Sequence, residues 1–279
     1  MSIVIFMARR IITEVYAELP KGMRKPLWRF FHRIIHSRDR KHQIRFMNYG
    51  YVDEELSKNP INLEEEDAVE RFSVNMYHQN VQEVDLAGRD VLEVGCGRGG
   101  GASYISRYMK PKTYIGLDLN QKVVKACNKT FDTPGLSFVQ GCADDLPFDD
   151  EKFDAVVNVE SSRCYPDVLG FLHEVYRVLK PGGHLLFSDM RYKEDFPTLQ
   201  KQFDEAGFKK LVEKDILPNV VASLEKDNER KQEWIREKAG AKFLYKTYEE
   251  FAGTVGSQRY QLFKDGRMGY THFVLQKPE

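Results

Sequence analysis

The stretch "DVLEVGCGRGGGASY", from Asp90 to Tyr104, decides the fold of this chain. A short apolar run leads into a cluster of glycines, and a sequence compatible with a helix follows the cluster. This order is typical of a β-strand, a tight turn and an α-helix. Because glycine leaves the backbone open to close approach, such a turn predicts a ligand-binding site at the start of the helix.

Two cofactor patterns overlap in this turn. The spacing G-x-G-x-x-G from Gly95 is that of dinucleotide-binding turns, whereas G-x-G-x-G from Gly95, with Glu93 two residues ahead, is that of S-adenosylmethionine-binding turns. The next apolar run, "TYIGLDLN", places Asp118 at the end of a second predicted strand. A carboxylate there can accept both hydroxyls of a ribose, which either cofactor carries. The turn and Asp118 alone therefore leave both cofactors open.

The composition excludes several other classes of protein. The chain has 279 residues and a formal net charge of zero, so no overall positive field favours nucleic acid as a partner. Its four cysteines stand apart without a C-x-x-C pair, so we expect neither disulfides nor a metal site. No run reaches the roughly 20 apolar residues that span a bilayer. The apolar start precedes Arg9 and Arg10, the reverse of a secretory signal, which predicts a cytoplasmic protein.

Charge is distributed unevenly near the start of the chain. Residues 1–50 contain eleven Lys or Arg and three acids, whereas residues 51–70 contain eight acids and one Lys. Aromatic and aliphatic residues interleave with the basic ones, as in basic helices that lie on anionic membranes. The alternative is a solvated helix whose charges pair with the acidic segment. We predict an N-terminal helical cap over residues 1–70, and peripheral membrane contact stays open.

From Asp90 onward, apolar runs alternate with helical stretches. This rhythm is typical of a doubly wound, parallel α/β sheet. The candidate strands are Val91–Val94, Tyr114–Leu117, Ser137–Gln140, Ala155–Glu160, His184–Ser188, Lys209–Asp215 and His272–Lys277. Between the last two, residues 219–253 carry apolar side chains on a rough helical period, which predicts a helical lid. The α/β domain is therefore expected over residues 71–279, with the lid as an insertion.

Downstream motifs decide between the two cofactors. "VQGCADDLPFDDEKFDAVVN" follows the third predicted strand, and "LKPGGHLLFSD" reads as a helix end, a Pro-Gly-Gly turn and the fifth strand. In this order, over roughly residues 90–190, the chain resembles the class I S-adenosylmethionine-dependent methyltransferases. The resemblance implies S-adenosylmethionine as cofactor and a mostly parallel, seven-stranded Rossmann-like sheet with an antiparallel last strand. Nothing downstream resembles a nicotinamide site.

The resemblance also implies which residues hold the cofactor. In the family, the glycine turn wraps the methionyl part, the acid after the second strand holds the ribose, and the turn after the third strand flanks the adenine. The cofactor-binding candidates on these segments are Glu93, Gly95, Cys96, Gly97, Asp118, Leu119, Cys142, Ala143, Asp144 and Asn158. Tyr49 is a further candidate, because Tyr49 and Tyr51 flank a glycine and either close over the cofactor or pack in the core. The chain departs from the family at Cys142, where many members carry an Asp that accepts from the adenine amine. Asp144, Asp145 or backbone groups could replace that contact.

Four further segments narrow the resemblance to a small-molecule subgroup. They are "FMNYGY", "RFSVNMYHQNV", "NVESSRCYP" and "GYTHFVLQK". They are similar to a subgroup that includes O-methyltransferases of phthiotriol-type lipids and, more distantly, sterol C24-methyltransferases. This implies methyl transfer to a hydroxyl of an apolar small molecule or lipid. Sterol-type C-methylation, N-methylation of a small amine and a non-catalytic cofactor-binding role remain as alternatives.

Two residues are candidates for the reaction itself. Glu160 ends an apolar strand, and open α/β sheets bind ligands outside the carboxyl ends of their strands. It is a base, an acceptor that fixes the nucleophile, or a carboxylate paired with Arg163 or Arg191. His78, in the helix predicted before the first strand, is either a base or a helix histidine bonded to a neighbour. Related O-methyltransferases tend to carry a histidine where this chain has Arg163.

Overall fold

The computed structural model of the chain describes residues 45–238 and 242–279. Its centre is a seven-stranded sheet. The strands are β1 (Asp90–Val94), β2 (Thr113–Asp118), β3 (Leu136–Gln140), β4 (Phe153–Val159), β5 (Leu179–Tyr192), β6 (Lys209–Asp215) and β7 (Met268–Gln276). They lie in the order β3-β2-β1-β4-β5-β7-β6, and β7 runs antiparallel to both of its neighbours. The predicted α/β sheet with an antiparallel last strand is confirmed.

Helices cover both faces of the sheet. They are α1 (Glu54–Lys58), α2 (Glu65–Ala68), α3 (Arg71–Val81), α4 (Gly100–Tyr108), α5 (Gln121–Thr130), α6 (Val168–Val178), α7 (Phe196–Glu205), α8 (Leu217–Lys226), α9 (Asn228–Lys238), α10 (Lys242–Ala252) and α11 (Gln258–Lys264). Single turns of 3-10 helix follow β4 and β5, at Ser162–Cys164 and Lys193–Asp195. Residues 1–44, which hold most of the predicted basic cap, lie outside the described residues. The domain boundary at residue 70 stays a prediction.

The central strands are apolar because both faces of the sheet are buried. In β1, for example, Val91, Leu92 and Val94 are fully buried. One core forms between the sheet and α3, α4, α5, α8 and α11, and a second forms between the sheet and α6 and α7. Each fully buried side chain of this size contributes about 1.5–3 kcal/mol. This burial fixes the strands and therefore the positions of the turns at their carboxyl ends.

Strand β5 begins earlier than the sequence predicted. Its pairing with β4 starts at Leu179, directly after α6, and shifts in register before His184. The Lys180–Gly183 segment, expected as a free Pro-Gly-Gly turn, therefore lies inside β5 as an irregularity. The difference has a physical reason, since backbone hydrogen bonds join this segment to Lys277 just after β7. The neighbouring strand supplies partners that a free turn lacks.

The stretch predicted as a lid, residues 219–253, falls on α8, α9 and α10, and its role as a lid stays a prediction. Its apolar residues Val220, Leu224 and Ile235 are buried, as expected for helices with one face toward a core. Helix α8 packs on α11 and β7, so the lid is anchored on the last strand of the sheet. Among the described residues, no helix is long and apolar enough to cross a membrane.

The contact between α3 and α4 generates a stability prediction. Gly101 in α4 faces Tyr77 so closely that a Cβ atom would lie 2.0 Å from the ring. Alanine is favoured over glycine in helices by about 1 kcal/mol, but overpacking costs about 1–3 kcal/mol. We expect Gly101→Ala to lower the free energy of unfolding in urea by about 1 kcal/mol.

The matched control is Ser106→Ala in the same helix. The Ser106 hydroxyl is buried and has no hydrogen-bond partner among the described residues. Its removal should not lower the free energy of unfolding, because a buried hydroxyl without a partner is costly and alanine is favoured over serine in a helix. A Gly101→Ala variant as stable as the parent chain would show that Tyr77 relaxes freely, contrary to this packing.

Candidate active site

A cavity of about 450 Å³ opens at the carboxyl ends of β1, β2, β3 and β4. Its wall is formed by the turns that follow these strands and by residues 45–48. The lid contributes Phe251 from α10. Parallel strands bring their carboxyl ends to one edge, so turns far apart in sequence meet here.

The glycine turn after β1 requires a residue without a side chain at its first position. Gly95 has φ 82°, in the left-handed region. A Cβ atom there would lie only 1.9 Å from Oγ of Ser161. The amides of Gly95 and Cys96 both donate to the Leu117 carbonyl, at 2.8 and 3.0 Å, which ties the turn to the end of β2. Gly95, Cys96 and Gly97 all line the cavity.

Asp118 stands at the end of β2 on the cavity wall. Its Oδ2 accepts from the Gly97 amide at 3.1 Å, and its Oδ1 accepts from the Asn120 amide at 2.8 Å. Burial raises the pKa of its carboxyl to about 6, although the two amides act in the opposite direction. Carboxylate oxygens have room for further hydrogen bonds, so Asp118 fits the two hydroxyls of a ribose.

Glu93 lies beneath the glycine turn and is not part of the cavity wall. Its carboxylate oxygens accept from the hydroxyls of Tyr77 at 2.8 Å and Tyr114 at 3.0 Å. Burial raises the pKa of Glu93 to about 7, against the effect of these hydroxyls. Tyr77 does line the cavity, and Glu93 accepts from its hydroxyl behind the wall. Direct contact between Glu93 and the cofactor stays a prediction.

The turn after β3 presents Cys142, Ala143 and Asp144 to the cavity, beside Leu119 from the turn after β2. An antiparallel bridge between Cys142 and Asp145 closes this turn. Asp145 is exposed and lies off the wall. Two acids were candidates to replace the carboxylate that many family members carry in this turn. The fold brings Asp144 to the cavity.

Two residues with predicted cofactor roles lie behind the wall. Asn158 is fully buried, and its Nδ2 donates to the Val94 carbonyl at 2.8 Å and to the Tyr165 hydroxyl at 3.1 Å. It thereby fastens the end of β4 to the end of β1. The ring of Tyr49 packs edge-on against Phe263, with ring centroids 5.5 Å apart. Direct cofactor contacts by these two side chains stay predictions.

His78 also lies off the cavity wall. Its Nδ1 is 2.9 Å from the Tyr104 hydroxyl in α4, and burial lowers the pKa of its imidazole. This position matches the alternative reading of a helix histidine bonded to a neighbour. A general base must come within hydrogen-bond reach of the reacting group. The prediction of His78 as a base gains no support from its position.

Glu160 directly follows β4, lines the cavity and has an unusual backbone. Its φ of 51° is left-handed, which costs a residue with a side chain about 1 kcal/mol or more and is typical of functional sites. Its Oε1 accepts from the Tyr49 amide at 2.7 Å and the Tyr270 hydroxyl at 2.8 Å. Its Oε2 is buried and has no hydrogen-bond partner within residues 45–238 and 242–279.

Three charged residues, Arg163, Asp189 and Arg191, form ion pairs near Glu160. The sequence analysis had named only the two arginines. Arg163 Nη2 lies 3.8 Å from Glu160 Oε2, and Arg163 Nη1 lies 3.2 Å from Asp189 Oδ1. Arg191, the other expected partner of Glu160, instead pairs with Asp189 at 3.0 Å. Burial raises the pKa of Glu160, and Arg163 offsets only part of this effect. Asp189 was missed, although an acid in the apolar run "HLLFSDM" was a signal for it.

Asp189 holds Arg163 in place. Burial acts to raise the pKa of Asp189, but Arg191 and Arg163 outweigh it and keep the pKa below its ordinary value. Asp189 Oδ2 also accepts from the Ser162 hydroxyl at 2.8 Å and the Arg163 amide at 3.0 Å. A buried carboxylate with a lowered pKa therefore holds the guanidinium beside Glu160.

Comparisons with known proteins agree with this geometry. Residues 92–187 match a methyltransferase domain family. A phthiotriol/phenolphthiotriol dimycocerosates methyltransferase from Mycobacterium leprae is 36% identical over 256 residues, which cover 92% of this chain and 94% of the relative. A fatty-acid O-methyltransferase from Mycolicibacterium smegmatis is 47% identical over 182 residues, which cover 65% of this chain and 66% of the relative.

Solved structures share the fold at low sequence identity. The cyclopropane synthase MmaA2 from Mycobacterium tuberculosis has a TM-score of 0.65 at 15% identity, over 86% of this chain and 94% of that chain. A geranyl diphosphate methyltransferase has a TM-score of 0.59 at 14% identity, over 84% and 99% of the two chains. At sequence identities this low, the similarity supports a conclusion about the fold alone.

The sheet, the glycine turn and Asp118 define a Rossmann-like methyltransferase site. The chain belongs to the class I S-adenosylmethionine-dependent methyltransferases, in the subgroup of the two mycobacterial relatives named above. Its cofactor is S-adenosylmethionine. The turn, in which Gly95 and Gly97 have no side chain, and the ribose-compatible carboxylate of Asp118 fit this group.

Asp118 generates a prediction about cofactor binding. Hydrogen bonds to a charged group contribute about 1.5–3 kcal/mol, so Asp118→Asn should weaken S-adenosylhomocysteine binding about tenfold to hundredfold. Because the pKa of Asp118 is raised to about 6, the ionised acceptor is present above pH 6 and is lost below it. The affinity of the parent chain should therefore fall between pH 7.5 and pH 5, and Asp118→Asn should show a smaller fall, because Glu93 also titrates in this range.

Isothermal titration at several pH values measures both effects. Asp149→Asn is the matched control, because Asp149 is exposed and off the cavity wall. Its affinity should follow that of the parent chain. Equal affinity of Asp118→Asn and the parent chain at pH 7.5 would contradict the assignment of Asp118 to the ribose.

Proposed function

We propose that this chain methylates an oxygen atom at the polar end of an apolar lipid acceptor. The observation that supports the proposal is the buried Oε2 of Glu160, a residue that lines the cavity, because this oxygen has no hydrogen-bond partner among the described residues. A buried acceptor without a partner is costly unless a ligand supplies a donor. The hydroxyl group of an acceptor is such a donor, and we take a hydroxyl as the first candidate.

The names of the relatives support an apolar acceptor. One relative is named for phthiotriol dimycocerosates and the other for fatty acids. In this chain the lid places Phe251 on the cavity wall, and this ring is 39% exposed. An apolar side chain at the edge of a cofactor cavity suits an acceptor whose hydrocarbon part extends under the lid.

The geometry of Glu160 suits a general base. Bound S-adenosylmethionine supplies a methyl group that its sulfonium already activates. The residues of the chain then align the acceptor and exclude water. As the acceptor oxygen gains the methyl group its O–H bond breaks, and the proton passes to Glu160 Oε2 and later to solvent. A raised pKa makes Glu160 a stronger proton acceptor, and Oε1 is held by Tyr49 and Tyr270 meanwhile.

A carboxyl group is the second candidate acceptor, and Arg163 favours it. The Nη2 of Arg163 makes no hydrogen bond within the described ranges, and the side chain is 26% exposed at the cavity. A guanidinium is well suited to a carboxylate. In that case a protonated Glu160 would donate to the acceptor, and methyl transfer to the anionic oxygen would release no proton.

Sterol-type C-methylation is an alternative that the aromatic residues of the cavity do not exclude, since Phe46, Tyr77, Tyr165 and Phe251 line it. A cationic intermediate on an alkene needs several aromatic faces around it. The aromatic residues available near the sequence motifs were Tyr49, Tyr51, Phe72, Tyr77 and Tyr165. Of these five, Tyr77 and Tyr165 line the cavity. The product analysis below therefore distinguishes C-methylation and N-methylation from O-methylation.

The proposal is tested by product analysis with labelled S-adenosylmethionine. The panel contains a long-chain alcohol, a fatty acid, a sterol and a small amine, with products identified by mass spectrometry and NMR. We expect an O-methyl product. If the acceptor is a hydroxyl, Glu160→Gln should lower the rate about 10²- to 10⁴-fold, the usual contribution of a general base. If it is a carboxyl group, the glutamine amide still donates, and the rate should stay within about tenfold.

Glu205→Gln is the matched control, because Glu205 is exposed at the end of α7 and off the cavity wall. Binding of S-adenosylhomocysteine by each variant shows that its site is intact. A C- or N-methylated product would refute the proposal. Cofactor binding without turnover of any acceptor, including a lipid extract of the source organism, would favour the non-catalytic reading.

We also propose peripheral membrane contact through the basic residues before position 45, since a lipid acceptor must be collected from a membrane. Asp67 in the acidic segment already pairs with Arg45 at 3.1 Å and Arg107 at 2.7 Å, so its charge is neutralised locally. The basic residues concerned are Lys21, Arg24, Lys25, Arg29, Arg33, Arg38, Arg40 and Lys41. Each contributes about 1 kcal/mol when near an anionic surface.

Co-sedimentation with vesicles measures this contact. We expect binding to vesicles that contain phosphatidylserine and little binding to phosphatidylcholine vesicles. Replacement of Lys21, Arg24, Lys25 and Arg29 by Gln in the full chain should weaken binding to the anionic vesicles. Equal binding to both kinds of vesicle, or binding unaffected by the four substitutions, would leave the basic segment without this role.

A further inference from the structure

Tyr49 is held at both ends of its backbone. Its amide donates to Glu160 Oε1 at 2.7 Å. Its carbonyl accepts from Ser223 Oγ and from Lys231 Nζ, each at 3.4 Å. Ser223 belongs to α8 and Lys231 to α9. Two lid helices therefore contact the residue that orients the candidate base.

The ring of Tyr49 is confined by the same part of the molecule. Gly253, directly after α10, approaches it so closely that a Cβ atom would lie 2.8 Å from the ring. Phe263 of α11 packs against the ring at an angle of 82°. Next in the chain, a Cβ atom on Gly50 would lie 2.3 Å from Ser223 Oγ. Because the ring and backbone are both enclosed, Tyr49 cannot move independently of the lid.

Lys231 is an unusual side chain for this position. It is 11% exposed, and its Nζ also lies 3.5 Å from the Ala252 carbonyl at the end of α10 and 3.9 Å from Asp227 Oδ2. Burial lowers the pKa of its ammonium group to about 8, against the effect of Asp227. Burying an ammonium group is costly unless it is paired and hydrogen-bonded. A lysine here, instead of an apolar residue, points to a role beyond packing.

We propose that Lys231 is a positioning residue for methyl transfer, which acts on Glu160 through the backbone of Tyr49. By holding the Tyr49 carbonyl, it helps to fix the Tyr49 amide on Oε1 and so the position of Glu160, whose Oε2 is the proposed proton acceptor. Lys231 also contacts the end of α10, the helix that contributes Phe251 to the cavity wall. One side chain thus contacts both the lid and the residue that orients the candidate base. This inference rests on the role of Glu160 proposed above.

The main test is Lys231→Met in the full chain, assayed with the acceptor found by the product analysis. Small misplacements of a reacting group can cost about 10²-fold in rate. We expect kcat to fall about tenfold to hundredfold while the affinity for S-adenosylhomocysteine stays the same, because Lys231 is not on the cavity wall. Arg236→Met is the matched control, since Arg236 is an exposed residue of the same helix.

Hydrogen exchange of the Tyr49 amide provides a readout that needs no turnover. If Lys231 holds the Tyr49 backbone, this amide should exchange faster in Lys231→Met than in the parent chain and in Arg236→Met. Ser223→Ala, which removes only a hydroxyl, should shift exchange and kcat in the same direction by a smaller factor. Lys231→Arg, which retains a donor, should recover part of the rate. If Lys231→Met does not fold, Lys231→Arg is compared with the parent chain to test the side chain at position 231. Ser223→Ala then tests the hold on the Tyr49 carbonyl.

The outcomes separate this inference from the proposed function. Oxygen methylation that depends on Glu160, together with unchanged kcat and unchanged Tyr49 exchange in Lys231→Met, would overturn the role of Lys231 and leave the proposed function intact. Absence of an O-methyl product from the parent chain would overturn the proposed function, while the exchange measurement would still decide whether Lys231 holds Tyr49. If Lys231→Met is less stable than the parent chain but has the same kcat and the same exchange of the Tyr49 amide, Lys231 contributes to packing alone.

Discussion

The close approach of two turns at Gly95 is the constraint on which the rest of the site depends. The turn after β1 and the turn after β4 meet there, and a Cβ atom on Gly95 would lie 1.9 Å from Ser161 Oγ. Ser161 directly follows Glu160. The glycine turn and Glu160 therefore share one wall of the cavity, and a side chain at position 95 would force them apart.

The buried charged residues behind this wall position the site more than they stabilise the fold. A buried ion pair gains little net free energy, because desolvation of both partners offsets their attraction. Asp189 is nevertheless buried at the end of the apolar part of β5, between Arg163 and Arg191. The result is a guanidinium held at Asp189 beside Glu160. The Tyr49 amide and the Tyr270 hydroxyl hold Oε1 of Glu160, and its Oε2 has no hydrogen-bond partner among the described residues.

Much of the fold and part of the site could be predicted from local sequence signals. The strand, glycine turn and helix around Gly95 are encoded by residues that are neighbours in the chain, and so is Asp118 at the end of β2. The failures have a different origin. The Pro-Gly-Gly segment pairs inside β5 because Lys277 supplies its partners, and Tyr49 contributes a backbone amide, which no side-chain pattern can reveal.

The sequence by itself determined the α/β sheet, the cofactor turn and the family, because periodicity, turn chemistry and motif order are written in consecutive residues. Only the tertiary structure decided which polar groups share the cavity. It turned His78 toward Tyr104, placed Glu93 under the turn and brought Asp144 to the wall. It also joined Asp189 to Arg163 and Lys231 to Tyr49. These pairs are distant in sequence, so their meeting follows from strand order and helix packing, which burial of the whole core dictates.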